Sequence, residues 1–202
     1  MKFLQFLLFA GLLLIGVTLA RPAFADPIAE KSPQYAEITQ TLDTLIQAQT
    51  NPKEAGFTAE SLAQKIGDLR FQKYIMETSE DWGICRNDTS ETIGVYTRKP
   101  KKPGAAVLSY LGAGETTDDD VACTGIYLPG DSLVSDLDLG GGPVAATIID
   151  GSNLVISQNP VTNAIEFNLP LTGVFQADQT DLLVPELTQA EVAAQVPNAP
   201  VD

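Results

Sequence analysis

Apolar residues recur first at helical spacing. In "SPQYAEITQTLDTLIQAQ", Tyr35, Ile38, Leu42, Leu45 and Ile46 fall three or four positions apart, on one face of an α-helix. Ser32 stands where an N-cap belongs, and Pro33 suits the first turn, where a missing N–H costs nothing. Asn51-Pro52 ends the element. A second stripe, Leu62, Ile66 and Leu69, runs through "FTAESLAQKIGDLRFQKYIME". Thr58 is its N-cap and Phe57 can staple onto Leu62, while its end falls either near Gly67 or further on, at Tyr74. Two such helices on a short link predict a helical hairpin.

From Trp82 the pattern changes. "DWGICRND", "ETIGVYTR", "GAAVLSYLG", "VACTGIYL", "DSLVSDLDL", "VAATIID", "NLVISQ" and "AIEFNLP" are short and rich in β-branched or aromatic residues. Turn signals separate them: Asn87-Asp88, Lys99-Pro100, Pro129-Gly130-Asp131, Gly140 to Pro143, Asp150-Gly151 and Asn159-Pro160. Asp150-Gly151 is the clearest tight-hairpin signal. "PELTQAEVAAQV" predicts a short helix and "PNAPVD" an extended end. The expected fold class is α+β. A helical region over residues 26–78 precedes a β-rich domain over 79–180, a mainly antiparallel sheet, sandwich or open barrel. A short helix and an extended acidic tail occupy 181–202.

Residues 1–25 do not join that fold. Lys2, an apolar run from Phe3 to Ala20 and the A-x-A site Ala23-Phe24-Ala25 read as a secretory signal peptide, with Asp26 as the mature N-terminus. The competing reading is an uncleaved anchor, because the run approaches spanning length. Export makes Cys85 and Cys123, the two cysteines, a candidate disulfide, with two buried thiols as the alternative. The predicted bridge joins an early strand to the strand entering the Pro129-Gly130 turn.

Charge is segregated along the chain. The net charge is −14, yet residues 1–102 hold all 12 Lys and Arg together with 12 Asp and Glu, whereas residues 103–202 hold 14 acids and no base. Such a half repels phosphate backbones, which argues against nucleic acid as a partner. It is either a solubilising surface or a docking face for a basic partner or cations. The one basic patch is "RKPKKPG", where Arg98, Lys99, Lys101 and Lys102 are candidate partner contacts or guards of a strand edge.

Candidate chemistry is thin. Gly130-Asp131-Ser132-Leu133 spells the nucleophile block of the GDSL hydrolases, but a serine needs a base, and the chain contains 0 histidines and no lysine after Lys102. The block reads instead as strand, turn and strand, with Pro129 presetting φ and Gly130 supplying the left-handed position. Asp118, Asp119 and Asp120 crowd three carboxylates on one loop, a weak candidate calcium site. Asp136 and Asp138 resemble the start of an EF-hand, but Thr147 stands at the twelfth position; on a strand the two would share one face. A carboxylate-based glycan hydrolase would draw on Asp81, Asp136 or Asp138. Trp82 is either core packing beside the cysteines or a ligand-stacking surface. Asn87-Asp88-Thr89 is a formal glycosylation sequon.

Taken together, "LRFQKYIMETSEDWGICRND", "TTDDDVACTGIYLPGD", "NPVTNAIEFNLP" and "VPNAP" resemble a group of exported cyanobacterial proteins. The resemblance implies the periplasm or the thylakoid lumen and brings no activity and no cofactor with it. The expected function is a non-catalytic accessory module that contacts another exported or membrane protein. The alternative is a domain for a small ligand or calcium.

Overall fold

The computed structural model describes residues 31–100 and 105–201. The signal-peptide segment 1–25, Lys101 and Lys102 lie outside them.

The helical hairpin forms as its stripes require. Helix α1 spans Pro33–Ala48 and α2 spans Ala59–Thr78. The Ser32 hydroxyl accepts the Tyr35 N–H at 3.2 Å, and Thr58 with Ser61 makes a reciprocal capping box. Leu42 and Leu45 pack against Leu62 and Ile66, with Phe57 and Leu69 at the margin. Helix α2 runs straight through Gly67 and Tyr74. Burial of Met76 near its end rewards continuation, against the roughly 1 kcal/mol that an interior glycine costs.

Eight strands follow: β1 Ile84–Asn87, β2 Ile93–Arg98, β3 Val107–Leu111, β4 Ala122–Leu128, β5 Val144–Thr147, β6 Asn153–Gln158, β7 Ile165–Phe167 and β8 Gly173–Phe175. They build a large sheet, β3-β2-β4-β5-β8, and a small one, β1-β6-β7. Every pairing is antiparallel except β1 with β6. The fold is therefore α+β, with a mainly antiparallel, sandwich-like pair of sheets.

Three local expectations are corrected. Asp150-Gly151 is not a hairpin. A type I′ turn needs positive φ at both central residues, and here only Gly151 has it, at 81°. The Ser152 N–H closes this turn on the Ile149 carbonyl at 3.1 Å, and the chain leaves β5 in the large sheet for β6 in the small one. "DSLVSDLDL" is not a strand. Asp136 takes a left-handed φ of 58°, and only isolated bridges form at Val134. Asp136 and Asp138 thus do not share a strand face. Finally, the Ser132 N–H donates to the Pro129 carbonyl at 3.0 Å, so Pro129 opens the turn rather than occupying its second position. Gly130 is not among the residues with positive φ. Its small size matters for another reason: a Cβ there would sit 2.8 Å from the Gly142 carbonyl carbon, where the two ends of the loop cross.

The main core lies between the sheets. Cys85, Leu154, Ile156 and Ile165 of the small sheet meet Val95, Leu111, Cys123, Ile126, Val144 and Ala146 of the large one. The disulfide Cys85–Cys123 crosses this core from β1 to β4, with Cα atoms 5.8 Å apart and both residues fully buried. The outer face of the large sheet is covered as well. Residues 182–199, with the short helix α3 (Gln189–Ala193), place Val184 and Val192 over Tyr96, Tyr127 and Ala145. Tyr96 donates to the Leu183 carbonyl at 2.8 Å and Tyr127 to that of Pro185 at 2.6 Å. Strands β2 and β4 are buried on both faces, which is why they read as nearly continuous apolar runs.

The hairpin docks on the end of the sandwich. Ile38 and Met76 close over Ile149. The Gln34 amide donates to the Ile148 carbonyl at 3.1 Å and accepts the Asp150 N–H at 2.7 Å, so one side chain behaves like a short added strand.

Two measurements check these contacts. The disulfide closes a loop across a sequence separation of 38 residues. Replacing both cysteines by alanine is expected to cost about 4 kcal/mol, read from the urea midpoint; a loss near zero would mean the sheets hold without it. Burial pushes the Tyr96 and Tyr127 phenols above their ordinary value. A raised phenol stabilises the fold below the unfolded value of about 10 and loses that contribution as pH rises beyond it. The C-terminal segment should therefore become protease-sensitive above about pH 10, and less pH-dependent in Tyr96→Phe.

Candidate functional site

Sheet edges decide where this molecule can bind. An edge strand presents unpaired N–H and C=O groups, and a fold must cover them or use them. The β3 edge is covered by the tail: Asn198 and Ala199 donate to the Tyr110 carbonyl at 2.9 Å each, and Tyr110 N–H returns a bond to Asn198 Oδ1 at 2.8 Å. The β1 edge is covered by residues 115–117, through Asn87 N–H to Glu115 and Thr117 N–H to Cys85, both at 2.9 Å. The β7 edge is half covered. Ile165 donates to Leu133 at 2.8 Å and accepts from Ser135 at 2.9 Å, and then the left-handed turn at Asp136 carries the chain away before it reaches Phe167. No described segment pairs with the outer edge of β8.

These last two edges face one cleft. It has a volume of about 650 Å³ and lies between the loop Ser135–Leu137 and the β7–β8 connection. Leu137, Phe167, Leu169, Leu171 and Val174 form apolar walls and continue into the inter-sheet core. Asp136 and Glu166 bring carboxylates to the same opening. Glu166 is held in place by Asn159 Nδ2 at 2.8 Å. No lysine or arginine occurs anywhere from residue 103 onward, so nothing cationic from that half neutralises these acids. The sequence hides this site, because β8 is three residues long and the cleft depends on where Asp136 turns the chain.

The residues singled out from sequence scatter over the molecule. Asp118, Asp119 and Asp120 do converge, with one carboxylate oxygen from each within 4.8 Å of the others. Three ligands are half or fewer of the six to eight that calcium takes, and Asp118 Oδ1 accepts the Asp120 N–H at 2.7 Å in a local turn. Asp119 and Asp120 are exposed and Asp118 is half-buried. Asp138 caps the Gly140 N–H at 2.9 Å and stands outside the cleft lining, whereas Asp136 lies within it. Asp81 is exposed and is not among the lining residues either.

Arg98 turns inward. Its guanidinium pairs with the buried Asp150 at 3.2 Å and sits 5.8 Å above the ring centre of Trp82. Trp82 is half-buried beneath Arg98 rather than part of the main core, and the stacking partner the structure gives it is this guanidinium. Lys99 is exposed. Ser132 Oγ is buried and has no hydrogen-bond partner among the described residues. Asn87, the sequon asparagine, is fully buried and spends its amide on the Glu91, Leu111 and Gly112 carbonyls at 2.8 to 3.1 Å. The fold gives it a structural duty that a glycan would break.

The left-handed turn that opens the cleft can be tested directly. Asp136→Gly should match the wild type in stability or exceed it, whereas Asp136→Val should lose about 1–2 kcal/mol, because a β-branched residue resists positive φ. Equal denaturation midpoints for the two variants would contradict the turn.

No protein-family model, curated protein or solved structure matches the chain, so its functional reading rests on its own residues.

Proposed function

We propose that this chain is an exported, non-catalytic accessory module that contacts another exported or membrane protein, in the periplasm or the thylakoid lumen. The observation that carries the reading is the cleft between Ser135–Leu137 and Glu166–Leu171, with apolar walls and an acidic opening at the margin of a sandwich whose other edges are covered. Apolar surface that stays open on a rigid scaffold marks a place for a partner. The buried disulfide suits an oxidising compartment, and among the described residues no helix is long and apolar enough to cross a membrane. The charge of the C-terminal half favours a basic partner surface over nucleic acid.

A second reading is supported by the size of the cleft. About 650 Å³ falls in the range of small-molecule pockets, and apolar walls with two carboxylates suit a cationic amphiphile.

The test is in-cell photocrosslinking from Leu171 in the cleft, with Phe71 on the exposed face of α2 as the comparison, followed by affinity capture and mass spectrometry. One recurring exported or membrane protein joined through Leu171 is the expected result. Recovery of the chain alone from both positions would defeat the module reading. A small molecule retained in native mass spectra, without a protein crosslink, would favour the second reading.

A further inference from the structure

Backbone geometry narrows what the cleft takes. Strand β5 lies between β4 and β8, and its residues alternate between the two neighbours. The Ile148 N–H donates to the Thr124 carbonyl at 3.1 Å, so Ile148 and Ala146 turn their backbone groups toward β4. Ala145 and Thr147 then bond β8, through their register partners Phe175 and Gly173. Val174, between those two, must direct its N–H and C=O away from β5, to the open side. The same alternation applies on the facing sheet. Ile165 directs its N–H and C=O to Leu133 and Ser135, and Asn168 bonds Val155 in β6, so Phe167 directs its own pair outward like Ile165. Phe167 and Val174 both line the cleft. One opening therefore combines unsatisfied strand backbone, apolar walls and two carboxylates.

We propose that the cleft binds an extended segment of a partner protein, added as a strand beside β8, in which apolar residues alternate with lysine or arginine. This rests on the module reading above and specifies its mode. The period-2 alternation of a strand would send the apolar side chains toward Leu137, Leu169 and Leu171 and the basic ones toward Asp136 and Glu166. Main-chain bonds to Val174 supply affinity without sequence demands. The acids supply selection by charge, since nothing basic in the C-terminal half competes for them. A helical partner would leave the Val174 backbone groups unpaired, and an acidic one would be repelled.

The experiment uses the mature chain and a fluorescent, acetylated hexapeptide of alternating Lys and Val, read by anisotropy. Alternating Glu and Val is the control peptide, and dodecyltrimethylammonium the small-molecule control. Saturable binding of the Lys-Val peptide alone is expected. Asp136→Asn combined with Glu166→Gln should weaken it roughly tenfold at low salt and should reduce its salt dependence. Both changes are mild, since asparagine tolerates positive φ and glutamine retains an acceptor for Asn159. Val174→Pro removes the outward N–H of an edge strand, together with the Val174 side chain on the cleft wall, and should abolish binding; its melting curve shows whether it folds, and the double variant decides the matter if it does not. Equal binding of both peptides, no binding, or full affinity in the double variant would overturn the proposal. So would displacement of the peptide by the detergent with no effect of Val174→Pro in a folded protein. A partner crosslinked in cells through Phe71 but never through Leu171 would leave the module reading standing and remove this mode of binding.

Discussion

The contact between the two sheets is the constraint on which everything else depends. A sheet with one apolar face must bury it against another layer, and β1, β6 and β7 are held because Cys85, Leu154, Ile156 and Ile165 are pressed against the large sheet. The disulfide crosses that contact where β1 meets β4, the central strand of the large sheet. It fixes the spacing of the sheets, and so the spacing of β7 and β8 at their margins. The cleft is what remains when two sheets are joined through their middles and no further described segment fills the side where the last strands end.

Covering the other edges accounts for the remaining architecture. The tail adds to β3, residues 115–117 add to β1, and the stretch at Val134 adds to β7 for one bridge. The C-terminal segment, which in sequence looks like an acidic appendage, covers the outer face of the large sheet and is pinned there by two buried tyrosines. A fold that covers its edges this consistently makes the uncovered one conspicuous. The helical hairpin, by contrast, is attached among the described residues through the small cluster of Ile38, Met76 and Ile149, with Tyr35, Leu69 and Ile75 beside it, and through the Gln34 amide. That attachment leaves Phe71 and Tyr74 on its exposed face, at 51% and 60% exposure.

Much of the fold was legible wherever it was encoded locally. The caps Ser32 and Thr58, the stripes of α1 and α2, and seven of the eight strands follow from spacing and composition, and so does the cysteine pair. Misreadings arose where distant backbone decides. Asp150-Gly151 has a hairpin's letters, yet it redirects the chain between sheets because β6 finds a parallel partner in β1. "DSLVSDLDL" alternates like a strand, yet Asp136 is left-handed and the alternation goes unused. Strand β8 is three residues in a Gly- and Pro-flanked stretch, and only its partner β5 makes it visible. The candidate site was legible only in part. Asp136 stands out in the sequence, but as a strand residue sharing a face with Asp138, an arrangement its left-handed φ of 58° removes. Glu166, Phe167, Leu171 and Val174 lie far from it in sequence and meet it only in the folded chain.

Hydrogen exchange resolved at single amides reports which backbone groups the unliganded fold leaves free. By their register with Thr147 and Ala145, Gly173 and Phe175 direct their amides at β5, where the Thr172 N–H also donates to the Thr147 carbonyl at 2.8 Å, and Val174 directs its own outward. Slow, fast and slow exchange is expected across these three residues, with the Asn198 and Ala199 amides that cover β3 slower than that of Val174. A Val174 amide as protected as its two neighbours would mean that the edge is already occupied, and the cleft would lose its claim to a partner.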